Sequence, residues 1–324
     1  MLNAITSAVV GDDVFGEDET INRLQQKCAE LSGKESALFV PTGVMGNQLA
    51  VKSHTDPGDE VIVESESHIL NYETAAPSVI SGVQLFPVQG INGVMKASDI
   101  EKHIRSSEYY FPVTRLICLE NTHNRAGGVI QPMEVIKEIS VMAKKYGIRT
   151  HLDGARIFNA VVETGISLKN YSGCFDSVSF CFSKGLGCPV GSILCGSQAF
   201  IEKARKWRKI LGGGMRQAGI LGAAAIFALD NNIQHLKEDH KKAEYFAQAL
   251  SETEGVNIDL STVMTNIVVF GFNRLPKNEI ISRAIEKGVI ISSGSYDNMR
   301  AVFHLGVSMD ETIQAVEILR SILK

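Results

Sequence analysis

The sequence has no apolar run of the roughly 18 residues that a membrane-spanning helix requires. Its first residues, Met1-Leu2-Asn3-Ala4-Ile5-Thr6, carry neither a basic segment nor a long apolar core. Membrane insertion and secretion are therefore not expected, and the cytoplasm is the simplest address. Basic excess is missing too: 32 Lys and Arg stand against 36 Asp and Glu, a formal net charge of −4. No positive field draws in nucleic acid or an anionic membrane surface, which leaves a small molecule as the expected partner. The six cysteines (Cys28, Cys118, Cys174, Cys181, Cys188, Cys195) form no CxxC pair and lie mostly in apolar runs. They read as buried thiols in a reducing compartment, and no metal site is expected. Internal repeats and low-complexity segments are absent, and no GxGxxG follows the first apolar run, which argues against a nicotinamide-binding dehydrogenase.

What remains is 324 residues with ordinary globular composition, enough for one large domain and a smaller one. From about residue 18, helical periodicity alternates with short apolar runs, the pattern of a largely parallel α/β sheet. Thr20 is positioned to cap a helix carrying the stripe Ile21, Leu24, Cys28 and Leu31, and Gly33 to end it. Strands are expected at Ala37–Val40, Val61–Glu64, Val83–Val88, Arg115–Glu120, Ile148–Leu152, Ser177–Phe182 and Gly191–Cys195. Only Ser183–Val190 separates the last two, too short for a crossover helix, so that pair is expected to be antiparallel and the sheet mixed. Helices are expected at Ser197–Ile210 and Gln217–Leu229, with a long one from near Asn231 to about Ser251. The domain boundary is placed at its start, giving a large domain over residues 1–232 and a small α+β domain over 233–324. Strands near Thr265–Phe272, Val289–Ser292 and Arg300–Leu305 and a helix from Asp310 belong to the latter.

Ligands of parallel sheets bind at the carboxyl ends of strands, so polar residues directly after apolar runs come first. Gly43–Asn47 offers backbone N–H groups at a strand-to-helix turn, where the helix dipole favours a phosphate. Asp153 ends a buried run and can face a protonated pyridine nitrogen. Lys184 follows the aromatic run Ser179-Phe180-Cys181-Phe182 and offers an amine to a carbonyl carbon, and His68 can stack on a flat ring. Each is weak alone. Together they supply what pyridoxal 5′-phosphate (PLP) needs, with Lys184 carrying it as a Schiff base.

Longer segments carry a resemblance: Val10-Gly11-Asp12-Asp13-Val14-Phe15-Gly16-Glu17-Asp18, Glu120-Asn121-Thr122-His123-Asn124, His151-Leu152-Asp153-Gly154-Ala155-Arg156-Ile157-Phe158-Asn159-Ala160, Ser183-Lys184-Gly185-Leu186-Gly187 and Gly212-Gly213-Gly214-Met215-Arg216-Gln217. In this order they resemble the low-specificity L-threonine aldolases, PLP enzymes of the aspartate aminotransferase fold (fold type I). The resemblance implies a three-layer α/β/α large domain with a mostly parallel seven-stranded sheet. It assigns the catalytic roles to Lys184, His68, His123 and Asp153. Gly43, Val44, Lys209 and Arg216 would surround the phosphate, Arg216 reaching into a neighbouring subunit's site. Arg156 and Arg300 would hold the substrate carboxylate, and His123 would stand near the substrate hydroxyl. A homotetramer, a dimer of dimers with shared active sites, is also implied.

The reaction implied is retro-aldol cleavage of L-threonine or L-allo-threonine to glycine and acetaldehyde. Racemases and β-eliminating lyases use the same fold and lysine, so the sequence defines the cofactor more narrowly than the reaction. Three departures from the family pattern stand out. Met1 aligns inside the helix that follows the family's usual opening segment, Val44 replaces a frequent threonine, and Phe15 replaces a frequent tyrosine. The first of these also keeps a catalytically impaired homologue among the readings.

Overall fold

Alternate residues of the first strand, β1 (Ser36–Val40), enter different buried layers: Ala37 and Phe39 one, Leu38 and Val40 the other. A strand buried on both faces belongs inside a helix-covered sheet, and its neighbours repeat the division. In β2 (Glu60–Glu64) Ile62 joins the first layer and Val61 and Val63 the opposite one, and in β4 (Thr114–Glu120) Ile117 and Leu119 oppose Leu116 and Cys118. The computed structural model describes residues 1–323. With β3 (Gln84–Val88), β5 (Arg149–Asp153), β6 (Ser177–Cys181) and β7 (Ser192–Gly196), these strands form a seven-stranded sheet in the order β1-β7-β6-β5-β4-β2-β3. All its pairs are parallel except those of β7 with β1 and β6. The short connection after β6 thus produces the antiparallel partner that its length requires.

One face is covered by the helices Glu19–Ser32, Met133–Lys145, Ile157–Thr164 and Gly219–Asn231, whose apolar residues share a single core with the sheet. The other is covered by Gly43–His54 and Gln198–Ile210, through Leu49, Phe200, Ile201 and Ala204. This is the α/β/α architecture of fold type I. A second sheet, β10-β11-β9-β8, is antiparallel and built from β8 (Val256–Asn257), β9 (Ile267–Phe272), β10 (Ser292–Ser293) and β11 (Met299–Val302). It packs its own core, including Phe246, Phe270 and Leu319, against the helices Leu236–Ser251, Lys277–Glu286 and Met309–Leu323.

Local details differ from expectation. The helix Glu19–Ser32 is capped by Asp18, whose Oδ1 accepts from Ile21 N at 2.9 Å, while Thr20 is already inside it and donates its hydroxyl to Val9 O at 2.7 Å. Gly33 ends that helix with φ 66°, the left-handed turn that favours glycine. A 3₁₀ turn, Ile233–His235, interrupts the run expected to be continuous from Asn231. All six cysteines are unpaired.

Candidate active site

The carboxyl ends of β1, β5 and β6 open into one cavity of about 250 Å³, lined by Thr42, Gly43, Val44, Asn47, His68, Asp153, Cys181 and Lys184 among others. Lys184 is half-buried in the turn after β6. Asp153 is the last residue of β5 and is buried; Asn47 Nδ2 donates to its Oδ2 at 2.7 Å and Ala155 N to its Oδ1 at 3.0 Å. Each carboxylate oxygen thus keeps lone-pair capacity for a further donor. His68 begins a short helix after β2, and its Nδ1 is paired with Glu73 Oε1 at 2.9 Å. Bonding to Glu73, against the opposing effect of burial, raises the His68 pKa above its ordinary value.

At the cavity wall, the helix Gly43–His54 starts with Thr42 as its cap, accepting from Met45 N at 3.1 Å. A Cβ on Gly43 would lie 2.8 Å from Cys181 Sγ, so only glycine leaves the floor of this helix start open. Val44 is partly exposed here. Lys209 and Arg216 do not line the cavity: Lys209 is exposed at the end of its helix, and Arg216 is on the surface, paired through Nε with Asp12 Oδ2 at 2.7 Å. Phe15 is likewise exposed, at 71%.

Beside the cavity, Arg156 and Arg300 converge on one neutral acceptor. Their Nη1 groups donate to Asn124 Oδ1 at 3.3 and 2.8 Å, and the buried Nε of each has no partner among the described residues. Burial first, and then the nearby Arg300, lower the Arg156 pKa. Two guanidinium groups sharing a single amide oxygen form a site for an anion, and a carboxylate satisfies their planar donors. Glu120 ties this pair to the cavity by accepting from Asn124 N at 2.8 Å and His68 N at 2.7 Å.

His123 takes a different place. It is fully buried, with Nε2 bonded to Glu64 Oε2 at 3.0 Å and Nδ1 accepting from Ala126 N at 3.2 Å. It borders a separate, larger cleft rather than the one that holds Lys184. The expectation of an imidazole at the substrate hydroxyl is not met by this geometry, because both ring nitrogens are occupied by the protein. Side chains with no local signal also enter the site, Asn47 being expected there only through its backbone. Asn47 bridges Asp153 and Glu73, and Glu73 itself is buried, although no apolar strand precedes it.

A lysine, a strand-end aspartate, an imidazole and a glycine-lined helix start in one cavity, on this sheet, define a PLP enzyme of fold type I. A family model for beta-eliminating lyases matches residues 1–272. Low-specificity L-threonine aldolase 1 of Arabidopsis thaliana is 42% identical over 94% of this chain and 87% of its own. The low specificity L-threonine aldolase of Escherichia coli K12 is 40% identical over 100% and 95%. Alanine racemase TOXG of Cochliobolus carbonum is 36% identical over 100% and 84%. Among solved structures, Leishmania major threonine aldolase superimposes with a TM-score of 0.82 at 21% identity, covering 98% of this chain and 93% of that one. The chain belongs to the low-specificity L-threonine aldolase family of PLP-dependent lyases.

Proposed function

We propose that the protein cleaves L-threonine or L-allo-threonine to glycine and acetaldehyde. The observation that carries this reading is the placement of Lys184, Asp153 and His68 around one cavity beside the paired guanidinium groups of Arg156 and Arg300. Lys184 would hold the cofactor, Asp153 its ring nitrogen, and the helix start at Gly43 and Val44 its phosphate. Bound there, PLP supplies an electron sink for the bond that breaks at the substrate Cα. Arg156 and Arg300 would grip the carboxylate and thereby select which bond at Cα is broken. His68 would cover the ring face, with Nδ1 held by Glu73 and Nε2 left to take the β-hydroxyl proton directly or through one water. The Cα–Cβ bond then breaks, acetaldehyde leaves, and a proton delivered to Cα completes glycine. His123, locked to Glu64, supports the loop that carries Asn124.

The two-domain division near residue 232, the cytoplasmic address and a homotetramer with shared sites belong to the same proposal. Exposure of Lys209 and Arg216 outside the cavity supports their acting on the phosphate of an adjacent subunit. The alanine racemase relative favours one second reading, in which the carboxylate grip selects Cα–H instead of Cα–Cβ. Both readings are tested on one preparation. With bound PLP visible in the spectrum, L-threonine should release acetaldehyde far faster than L-alanine racemises, and Lys184→Ala should abolish both the bound-cofactor band and turnover. Full acetaldehyde release by Lys184→Ala would sink the proposal.

A further inference from the structure

From Asn47, which lines the cavity beside Asp153, polar side chains continue in single file toward a second cleft. Asn47 Nδ2 donates to Asp153 Oδ2 at 2.7 Å and Glu73 Oε1 at 2.8 Å. Its Oδ1 lies 3.0 Å from Ser179 Oγ and 3.3 Å from His151 Nε2. His151 Nδ1 is 2.8 Å from Ser177 Oγ, which is 2.8 Å from His54 Nε2. His54 stacks on Phe200 at 4.3 Å and borders that cleft, lined also by Arg115, Arg149, Asp176 and Lys203.

The direction of every hydrogen bond in this file follows from its first member. An amide facing two carboxylates must present its NH₂, because the flipped amide would set an oxygen against two others. Asn47 Oδ1 then faces His151 and accepts, so His151 Nε2 carries a hydrogen. Burial holds the His151 pKa down to about 4 and that of His54 to about 3, so both rings are neutral in ordinary buffer. A neutral ring with a hydrogen on Nε2 has an acceptor at Nδ1, so the single hydroxyl hydrogen of Ser177 points to His151. The lone pairs of Ser177 then receive the hydrogen of His54 Nε2. The reversed file would place the Nε2 lone pair of His151 against Asn47 Oδ1.

We propose that His54, Ser177 and His151 are positioning residues, forming a one-directional hydrogen-bond chain that pins the Asn47 amide and so fixes the Asp153 carboxylate that meets the cofactor ring. The chain rests on the reading of Asp153 as the partner of the ring nitrogen. An amide contains no readily exchanged proton between its oxygen and nitrogen ends, so the device orients dipoles and does not conduct protons. Ser179 gives Asn47 a second donor, which makes loss of His151 graded instead of absolute.

Two measurements, neither using turnover, test the proposal. In ¹⁵N-histidine-labelled holoenzyme at pH 7, the resonances assigned by their loss in His54→Phe and His151→Phe should both report neutral rings with hydrogen on Nε2. Hydrogen on Nδ1 of His151, or a cationic His151 ring, overturns the chain. PLP titrated into the apoprotein should bind His151→Phe about tenfold more weakly than wild type, the order expected for one hydrogen bond in a buried charged network. The combination with Ser179→Ala should bind more weakly still. Equal affinity for wild type and both variants overturns the positioning role. The tautomers are read on the unaltered protein and the variants serve only to assign them, so His54→Gln and His151→Gln complete the assignment where a phenylalanine variant does not fold. The identity of the amino acid substrate enters neither readout.

Discussion

At the residue scale, the site is held by side chains whose partners lie far away in sequence. Arg156 and Arg300 share Asn124, and their orphaned Nε groups call for the two oxygens of one carboxylate. Arg300→Lys keeps the charge and loses the fork, so KM for L-threonine should rise roughly tenfold while kcat changes much less. An unchanged KM would remove Arg300 from the carboxylate site. The histidines set a pH dependence. Both His54 and His151 titrate near 6.5 when unfolded, but at about 3 and about 4 when folded. Between those values the unfolded chain takes up protons that the fold refuses, so this stability is present above 6.5 and is lost as pH falls toward 4. His68 and His123, shifted upward, act oppositely: their contribution is full below 6.5 and disappears as pH rises through their folded values. The unfolding free energy from urea titration should therefore drop on acidification to pH 4.5, and His54→Phe should flatten the drop by an amount on the order of a few kcal/mol. Identical slopes would refute the buried neutral ring. That Lys184 and Asp153 reach one cavity was legible in the sequence because both lie at the carboxyl ends of apolar runs. Asn47, Glu73 and His151 acquire meaning only from contacts across as many as 106 residues, which no local pattern encodes.

At the element scale, Asp18 shows how a helix start can also be a junction. Its side chain is fully buried and accepts from Ile21 N at 2.9 Å, Gly219 N at 2.8 Å and Gly11 N at 3.2 Å. One carboxylate therefore caps Glu19–Ser32, meets the start of Gly219–Asn231 and anchors the preceding loop. Asp18→Ala would leave two buried N–H groups and one half-buried one without acceptors and should cost about 3 kcal/mol or more in chemical denaturation. Asp18→Asn, which keeps a cap acceptor, should cost less; equal losses would show that packing, not hydrogen bonding, matters here. Sequence pattern pointed to Thr20 as the cap because it immediately precedes the apolar stripe. The true cap lies two residues earlier because the first turn is buried by the helix Gly219–Asn231, a tertiary contact. By contrast, the antiparallel setting of β7 was readable from loop length alone. The two-residue strand β8 has no counterpart among the expected strands because two residues carry no alternation, and the strand expected near Val289–Ser292 is reduced to β10, Ser292–Ser293.

At the scale of the whole molecule, the site depends on surfaces that meet from separate cores. Arg300 comes from β11 of the second sheet, while Arg156 and Asn124 follow strands of the first. Their meeting is fixed by the helix Leu236–Ser251: His240 pairs with Glu163 at 2.8 Å, and buried Lys242 donates to His304 O at 3.0 Å and Val307 O at 2.7 Å. The meeting of Arg156 and Arg300 at Asn124 is thus sensitive to how the two units dock, which a strand-by-strand reading of the sequence could not reveal. The phosphate side raises the same issue between subunits, since Arg216 is exposed and held only by Asp12. In a two-fold assembly where each site takes Lys184 from one chain and Arg216 from the other, one inactive variant can complement another. Lys184→Ala and Arg216→Ala should each be nearly inactive alone. Refolded together in equal amounts, half of the dimers would be hybrids, each with one site containing both wild-type residues. Activity should then recover to about a quarter of the wild-type value. If the mixture shows only the sum of the two variants while light scattering confirms hybrid assembly, Arg216 serves its own chain, and the shared-site arrangement fails.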